Sequence, residues 1–443
     1  MSVFAFVGFR QALVPVQRTS FARRSAALAS VSIWRRSYAS TETGKKGLRV
    51  LFFGHEKIGA ECLKLLIKDM KSEEASISSI DVVGVPSKDD KGRPGQVMPV
   101  AKKKSGSYKK RGKVNKDDDT TSAEMSVVSI ASTNMLRVRF IQAKPGSVPT
   151  ISYFDESNLQ SYDVAVICMD IRWVPMKFVR KLPYGGIKVH PSLLPKHRGI
   201  TPMQTAILND DKVTGVSIIE CMDYKDNGRI LAQIPYELTP TTTYKDLQNV
   251  LAHLGSKLLL KSLQNLDFVR ERAVVQDERQ ATVSPLYRTD DYKIIWEKMT
   301  ADDIYRRYRA FHGIVSIHTI WRRKSKMHVL LINGMYKPNP KLPLLTEQFY
   351  RRPPGTIFFM RKVQYFEVPC IDGDRVHITN LRVVGRTSKS ALEFVNGYLR
   401  MNGALRMLTD PVEGKKPTPP FVYPPGHPKA DIKQSEFDDQ WGF

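Results

Sequence analysis

Leu48-Arg-Val-Leu-Phe-Phe-Gly54 is a short apolar run that stops on a glycine, and Ile58 to Asp69 directly after it carries apolar residues at helical spacing. Strand, tight turn and helix in that order open a parallel α/β domain. Working outward, Ile80 to Val85, Val138–Ile141, Asp163–Cys168 and Gly186–His190 read as further strands. Thr201–Leu208 reads as a helix, Gly215–Cys221 and Arg229–Pro235 as strands, and Thr243–Leu266 as a long amphipathic helix that closes the domain, giving it the range 47–266. Residues 86–134 are polar and rich in Gly and Lys and form a basic loop or insertion. Loops of that length are functional or disordered.

Residues 267–285 are polar and read as a linker. Beyond it, Ala301–Phe311 is helical, and Ile314–Trp321, Met327–Leu331, Gly355–Met360, Gln364–Val368 and Arg375–Val384 are short strands separated by turn signals. Ser388–Arg400 reads as a closing helix. A small OB-like β-barrel over 286–408, of the kind that binds nucleic acids, fits this pattern. Residues 409–443, rich in Pro and charge, form a tail.

The chain has 443 residues, with 69 Lys+Arg against 44 Asp+Glu, a net charge of +25. Residues 1–40 hold +6, residues 97–116 hold +8 and residues 286–408 hold +12, so the remainder is nearly neutral. Positive charge concentrated in this way points to a polyanionic partner, nucleic acid above all. Residues 1–40 have their own explanation. They contain Arg, Ser and Ala without a single acid, which is the composition of a mitochondrial transit peptide. Arg36-Ser37-Tyr38 before Ala39-Ser40 has the form of a matrix-processing site, so the mature chain is expected in the mitochondrial matrix.

Composition excludes several classes. No apolar run reaches the roughly 18 residues of a membrane span, so no membrane association is expected. Cys62, Cys168, Cys221 and Cys370 lie far apart with no CxxC pair, which argues against structural zinc and a disulfide framework. The first βα turn, Gly54-His-Glu-Lys-Ile-Gly59, is not GxGxxG, and no GxxxxGK[ST] occurs, which disfavours dinucleotide and P-loop nucleotide sites.

The densest chemistry lies in Lys188-Val-His190-Pro-Ser192-Leu-Leu-Pro195-Lys-His-Arg198-Gly199. A strand ends at a histidine and enters a proline-flanked turn, and strand ends are where open α/β sheets bind ligands. Lys188 and His190 are two apart and face the same side. Asp226-Asn227-Gly228 sits in a second turn downstream. A histidine with a distant aspartate can form a general acid/base pair. Equally, a lone histidine at a strand end is most often structural, and Asp-x-Gly is most often only a turn.

HPSLLPKHRG, TGVSIIECMD and DNGRIL together resemble the 10-formyltetrahydrofolate-dependent formyltransferase family, whose signature runs Asn-x-His, Ser-Leu-Leu-Pro-x-x-x-Gly and then Asp-x-Gly. Asp291-Tyr-Lys-Ile-Ile-Trp296 and Phe394-Val-Asn-Gly-Tyr398 resemble signatures of its tRNA-formylating branch. The likeness runs from Leu48 to Leu405. It implies a Rossmann-like catalytic domain, catalytic roles for His190 and Asp226, and a folate site that includes Ser192, Leu193, Leu194 and Pro195, with residues 169–175 in the pterin pocket wall. It implies tRNA contacts at Arg93, Lys102, Lys103, Lys104, Lys109, Lys110 and Arg111, and along the basic second domain. The implied substrates are 10-formyltetrahydrofolate and initiator methionyl-tRNA, with no metal, and the implied state is a monomer.

The chain departs from the signature at one position: the family's Asn is Lys188 here. Formyl transfer builds negative charge on the formyl oxygen, and a positioned donor there is worth about 3–4 kcal/mol of barrier. Lys replaces a short neutral donor by a charged one on a flexible stem. Its charge also favours the neutral form of His190. Lys188 therefore stands as a third catalytic candidate, and the same substitution motivates the alternative of a non-catalytic descendant that binds tRNA or folate. A small-amine formyltransferase is disfavoured by the basic second domain.

Overall fold

The computed structural model describes residues 47–84, 126–142, 150–151, 160–169, 174–221, 223, 225–337, 352–400 and 403–409. An eight-stranded sheet runs β4-β3-β2-β1-β5-β6-β8-β9. Its strands are β1 (Leu48–Gly54), β2 (Ile77–Gly84), β3 (Arg137–Gln142), β4 (Thr150–Ile151), β5 (Val164–Cys168), β6 (Gly186–His190), β8 (Val213–Cys221) and β9 (Ile230–Glu237). The five central strands β3-β2-β1-β5-β6 are parallel, and β8 and β9 extend the β6 edge antiparallel. Strand order reverses between β1 and β5, which opens a crevice at their carboxyl ends. β5 and β6 are buried along their whole length, the mark of strands covered on both faces.

Helix α1 (Glu56–Met70) buries Gly59, Cys62, Leu63 and Leu66 on one face. A Cβ on Gly59 would lie 3.1 Å from the Gly54 backbone, tighter than an ordinary contact, so a side chain here would press the helix off the strand end by a few tenths of an ångström. The long helix α5 (Tyr244–Gln264) begins with a reciprocal cap between Thr243 and Asp246. It meets α1 through Gln264, whose amide donates to the Asp69 carboxylate at 3.1 Å.

The second half is an antiparallel sheet of order β13-β14-β15-β12-β11-β17, with β16 (Lys389–Ser390) on β15. Its strands are β11 (Ile317–Arg323), β12 (Lys326–Tyr336), β13 (Phe358–Met360), β14 (Tyr365–Pro369), β15 (Arg375–Val383) and β17 (Gly403–Leu408). Ile357 donates to the Leu405 carbonyl and Met407 to the Gly355 carbonyl, each at 2.8 Å, so the two edges nearly close into a barrel. Trp296, Trp321, Phe366 and Phe394 fill it. This core continues onto α4 (Pro202–Leu208) and α5, where Met203, Ile207, Leu247 and Leu251 join Ile294, Ile304 and Phe311. Helix α7 (Ala301–Phe311) lies at this junction, and its buried Arg309 donates to the Thr242 carbonyl at 3.0 Å.

Several elements depart from the sequence reading. Within the expected insertion 86–134, residues 85–125 lie outside the described set, but Val127–Thr133 forms helix α2, capped by Ser126. Met176–Val179 is a further short helix, α3. The closing helix is only Ala391–Phe394 (α8), continued by a π turn over Val395–Leu399, and β17 follows where no strand was expected. The expected linker 267–285 is docked structure. It contains helix α6 (Leu266–Glu271), whose Leu266 and Val269 are buried, and strand β10 (Val283–Ser284), which pairs in parallel with β7 (Arg198–Gly199). Its polarity is misleading because Gln276, Thr282 and Ser284 bond to the neighbouring turns, while most of its other polar side chains face solvent. Residues 1–40 and 410–443 lie outside the described residues.

Candidate active site

β6 places Ile187 and Val189 on one face and Lys188 and His190 on the other. The second turn, between β8 and β9, brings Asp226 to them. Asp226 has φ 54°, and a Cβ on Gly228 would lie 1.7 Å from the Glu220 carbonyl oxygen, so the Asp-Asn-Gly sequence meets the demands of a tight turn. Glu220 anchors its flank, accepting from Arg229 Nε at 2.6 Å and Arg270 Nε at 3.2 Å.

Lys188, His190 and Asp226 are 5%, 1% and 4% exposed. Lys188 Nζ donates to Asp226 Oδ1. Gly199 N donates to Asp226 Oδ2 at 3.1 Å, and His190 Nδ1 stands 3.7 Å from the same oxygen. His190 Nε2 lies 3.0 Å from the carbonyl oxygen of His197 and must donate to it. That bond assigns the proton to Nε2 and leaves Nδ1, on the Asp226 side, as the basic nitrogen.

Burial pushes the His190 pKa down to about 4, against the opposing pull of Asp226 and with the help of Lys188. Burial alone would raise the Asp226 carboxyl. The charges of His190 and Lys188, and the hydrogen bonds from Lys188 and Gly199, outweigh it and hold the pKa below the ordinary value. At neutral pH Asp226 is a carboxylate and His190 a neutral imidazole.

The structure places Lys188, His190 and Asp226 side by side. The Ser192–Pro195 turn is more constrained than expected. Ser192 is fully buried, its hydroxyl donates to the Lys196 carbonyl at 2.7 Å, and its carbonyl accepts from Ser217 Oγ at 2.6 Å. Gln233 Nε2 donates to the Leu194 carbonyl at 2.9 Å, and the Leu194 side chain is buried. Leu193 and Pro195 are half-buried, whereas Ser192 and Leu194 are buried within the turn they shape. Of segment 169–175, residues 170–173 lie outside the described set and Val174 is packed into the core. Arg93, Lys102, Lys103, Lys104, Lys109, Lys110 and Arg111 also lie outside it. Sequence reasoning assigned no role to His197, Gly199 or Gln276, which bond here through backbone or amide groups; Gly199 is the signature glycine, and Gln276 lies in no motif.

Residues 48–263 match the family model described as Formyl transferase. The methionyl-tRNA formyltransferase of Dictyoglomus turgidum is 32% identical over 229 residues, covering 52% of this chain and 69% of that protein. The one from Caldicellulosiruptor saccharolyticus is 30% identical over 247 residues, covering 56% and 74%. The chain belongs to the methionyl-tRNA formyltransferase family. Within that family, the human protein named "Methionyl-tRNA formyltransferase, mitochondrial" is 29% identical over 371 residues, 83% of this chain and 82% of that one, so this likeness extends into the barrel. A solved sugar 3N-formyl transferase aligns over 77% of this chain and all of its own at 15% identity, with a TM-score of 0.48. Among the described residues no group of His, Cys, Asp and Glu could hold a metal ion, and no helix is long and apolar enough to cross a membrane.

Proposed function

We propose that the chain transfers the formyl group of 10-formyltetrahydrofolate to the α-amine of methionyl-tRNA, the initiator species, in the mitochondrial matrix, and works as a monomer. The observation that carries the mechanism is the convergence of His190 and Lys188, from one strand, with Asp226, from a separate turn, in a buried cluster. The amine nitrogen attacks the formyl carbon. A C–N bond forms and the carbonyl π pair moves onto oxygen. His190 Nδ1 takes the proton released by the amine, and Asp226 stabilises the resulting imidazolium. Lys188 gives one N–H to Asp226 and directs another to the formyl oxygen, where charge develops. Collapse of the tetrahedral adduct breaks the bond to N10 of the folate, which leaves with a proton returned by the imidazolium.

Leu193 and Pro195 supply apolar surface at the folate site. Arg93 and the Lys102–Arg111 run, with the +12 barrel, supply the phosphate contacts that hold tRNA, so affinity falls steeply with salt. Charged methionyl-tRNA incubated with labelled formyl donor tests the reading: label on the aminoacyl-tRNA is expected. Tight tRNA binding without label, or release of free formate alone, overturns it. Import into isolated mitochondria, with loss of a segment of about 40 residues, tests the matrix assignment.

A further inference from the structure

We propose that Gln276 is a positioning residue for this reaction, a clamp that joins the turn carrying Asp226 to the loop that orients His190. The proposal rests on the functional reading above. Gln276 lies between α6 and β10, outside both signature motifs, and is 5% exposed. Its amide nitrogen donates to the Asp226 carbonyl at 2.9 Å and the Gly228 carbonyl at 2.8 Å. Its amide oxygen accepts from Arg198 Nε at 3.0 Å and Nη2 at 2.8 Å. Both protons and both lone pairs of one planar group are therefore engaged, and the amide has a single satisfactory orientation. Arg198 is held from its other side by Glu278, at 2.8 and 2.9 Å.

The two tethered segments are those that aim the chemistry. The loop around Arg198 supplies the His197 carbonyl to His190 and the Gly199 N–H to Asp226. The turn around Asp226 places its carboxylate on a left-handed residue, φ 54°. Neighbouring bonds fix the strap that carries Gln276: Thr282 Oγ1 accepts from His197 N at 2.8 Å, Ser284 Oγ donates to the Arg198 carbonyl at 3.0 Å, and Val274 exchanges backbone hydrogen bonds with Ile230. Gln276 is thus the point at which the segment leading into the barrel grips both halves of the His190–Asp226 pair. A slip of about 1 Å between catalytic groups is enough to cost about 100-fold in rate.

Gln276→Leu removes all four bonds at similar volume, and Gln276→Glu keeps the acceptor and removes the amide donor. In the full-length chain both are expected to lower the kcat of formyl transfer about 10- to 100-fold, with KM for methionyl-tRNA and for the formyl donor within about twofold of wild type. Amides 197–199 and 226–228 are expected to exchange with solvent at least about tenfold faster while the central strands keep their protection. An unchanged kcat overturns the proposal. So does unchanged exchange in these two turns, or a loss of protection spread over the whole domain with kcat and KM shifting together. A wild-type chain that transfers no formyl group overturns the functional reading instead, and the exchange measurement still decides whether Gln276 clamps the turns.

Discussion

Lys188 and His190 stand two residues apart on β6 beside the carboxylate of Asp226. Arg375 and His377 stand two apart on β15 and share the carboxylate of Glu367. Both clusters are buried, and each combines a carboxylate, a cation and an imidazole. They differ in where the carboxylate comes from. Glu367 sits on β14 directly opposite His377 in the ladder, so register alone fixes it, with Arg375 Nε at 2.5 Å and His377 Nε2 at 3.2 Å. The rings of Tyr365, stacked at 4.1 Å, and Tyr336, edge-on at 4.9 Å, lie against His377. Asp226 arrives from a turn, at the end of the parallel sheet where strand order leaves a crevice, and its partners include a glycine N–H and a histidine that a loop carbonyl orients. A cation and a histidine at the same spacing, each set with a carboxylate, lie inside a barrel ladder in one place and at the end of the parallel sheet in the other. Delivery from a turn makes the difference, because it sets the carboxylate at the strand ends, where the crevice opens, instead of inside a ladder.

The largest effect should separate the two clusters outright. His190→Ala and Asp226→Asn are each expected to lower single-turnover formyl transfer about 10²- to 10⁴-fold, the usual worth of a positioned acid/base group. His377→Gln is expected to leave the rate unchanged. Equal losses from both histidines would erase the distinction drawn here. The converse holds for stability. Glu367→Gln leaves the buried Arg375 charge without its carboxylate and should lower the unfolding free energy by about 3–5 kcal/mol, read from the urea midpoint, with the activity of the remaining folded protein intact.

The sequence exposed the first cluster and hid the second for the same physical reason. β6 was legible as Gly186–His190 because a fully buried strand is a nearly continuous apolar run, broken here only by Lys188 and His190. Helix Ala301–Phe311 was legible because its threonine cap and apolar spacing are local signals. The Glu367 cluster depends on cross-strand register, which no local pattern encodes. Strand β17 and the docked 267–285 segment were misread because their partners, β11 in one case and the 195–199 loop in the other, are remote in sequence. Gln276 carries no motif at all: its role lies in four bonds to groups distant along the chain.

Lys188→Asn sharpens the comparison at intermediate scale. Removing the ammonium removes one of the causes that depress the His190 pKa, while Asp226 continues to raise it. The acid limb of kcat should therefore move up from about 4 toward the ordinary 6.5. The rate at neutral pH should fall about 10- to 100-fold through loss of the charged donor. A gain in rate with an unmoved limb would mean that Lys188 obstructs the site and has no part in it.

The smallest expected effect concerns acid stability, and here the two halves of the molecule should behave alike. His190 on β6 and His318 on β11 are both pushed down to about 4 by burial, His190 against the pull of Asp226 and with help from Lys188, His318 with help from Lys293. Between pH 6.5 and 4 the unfolded chain takes up protons at both positions while the folded chain does not. Stability therefore falls as pH drops through that window and is fully retained above it. Asp226 acts lower: its depressed pKa contributes stability that disappears only as pH falls through the carboxylate range. Replacing His318 by Gln, which cannot charge, should shrink the drop in Tm between pH 7 and pH 5 by roughly 2–4 °C in thermal scans, and His190→Gln should do the same even though it abolishes activity. A pH-dependence of Tm left unchanged by both replacements would show that neither imidazole is held neutral by its surroundings. The proton-accepting role given to His190 Nδ1 would then lose its electrostatic basis.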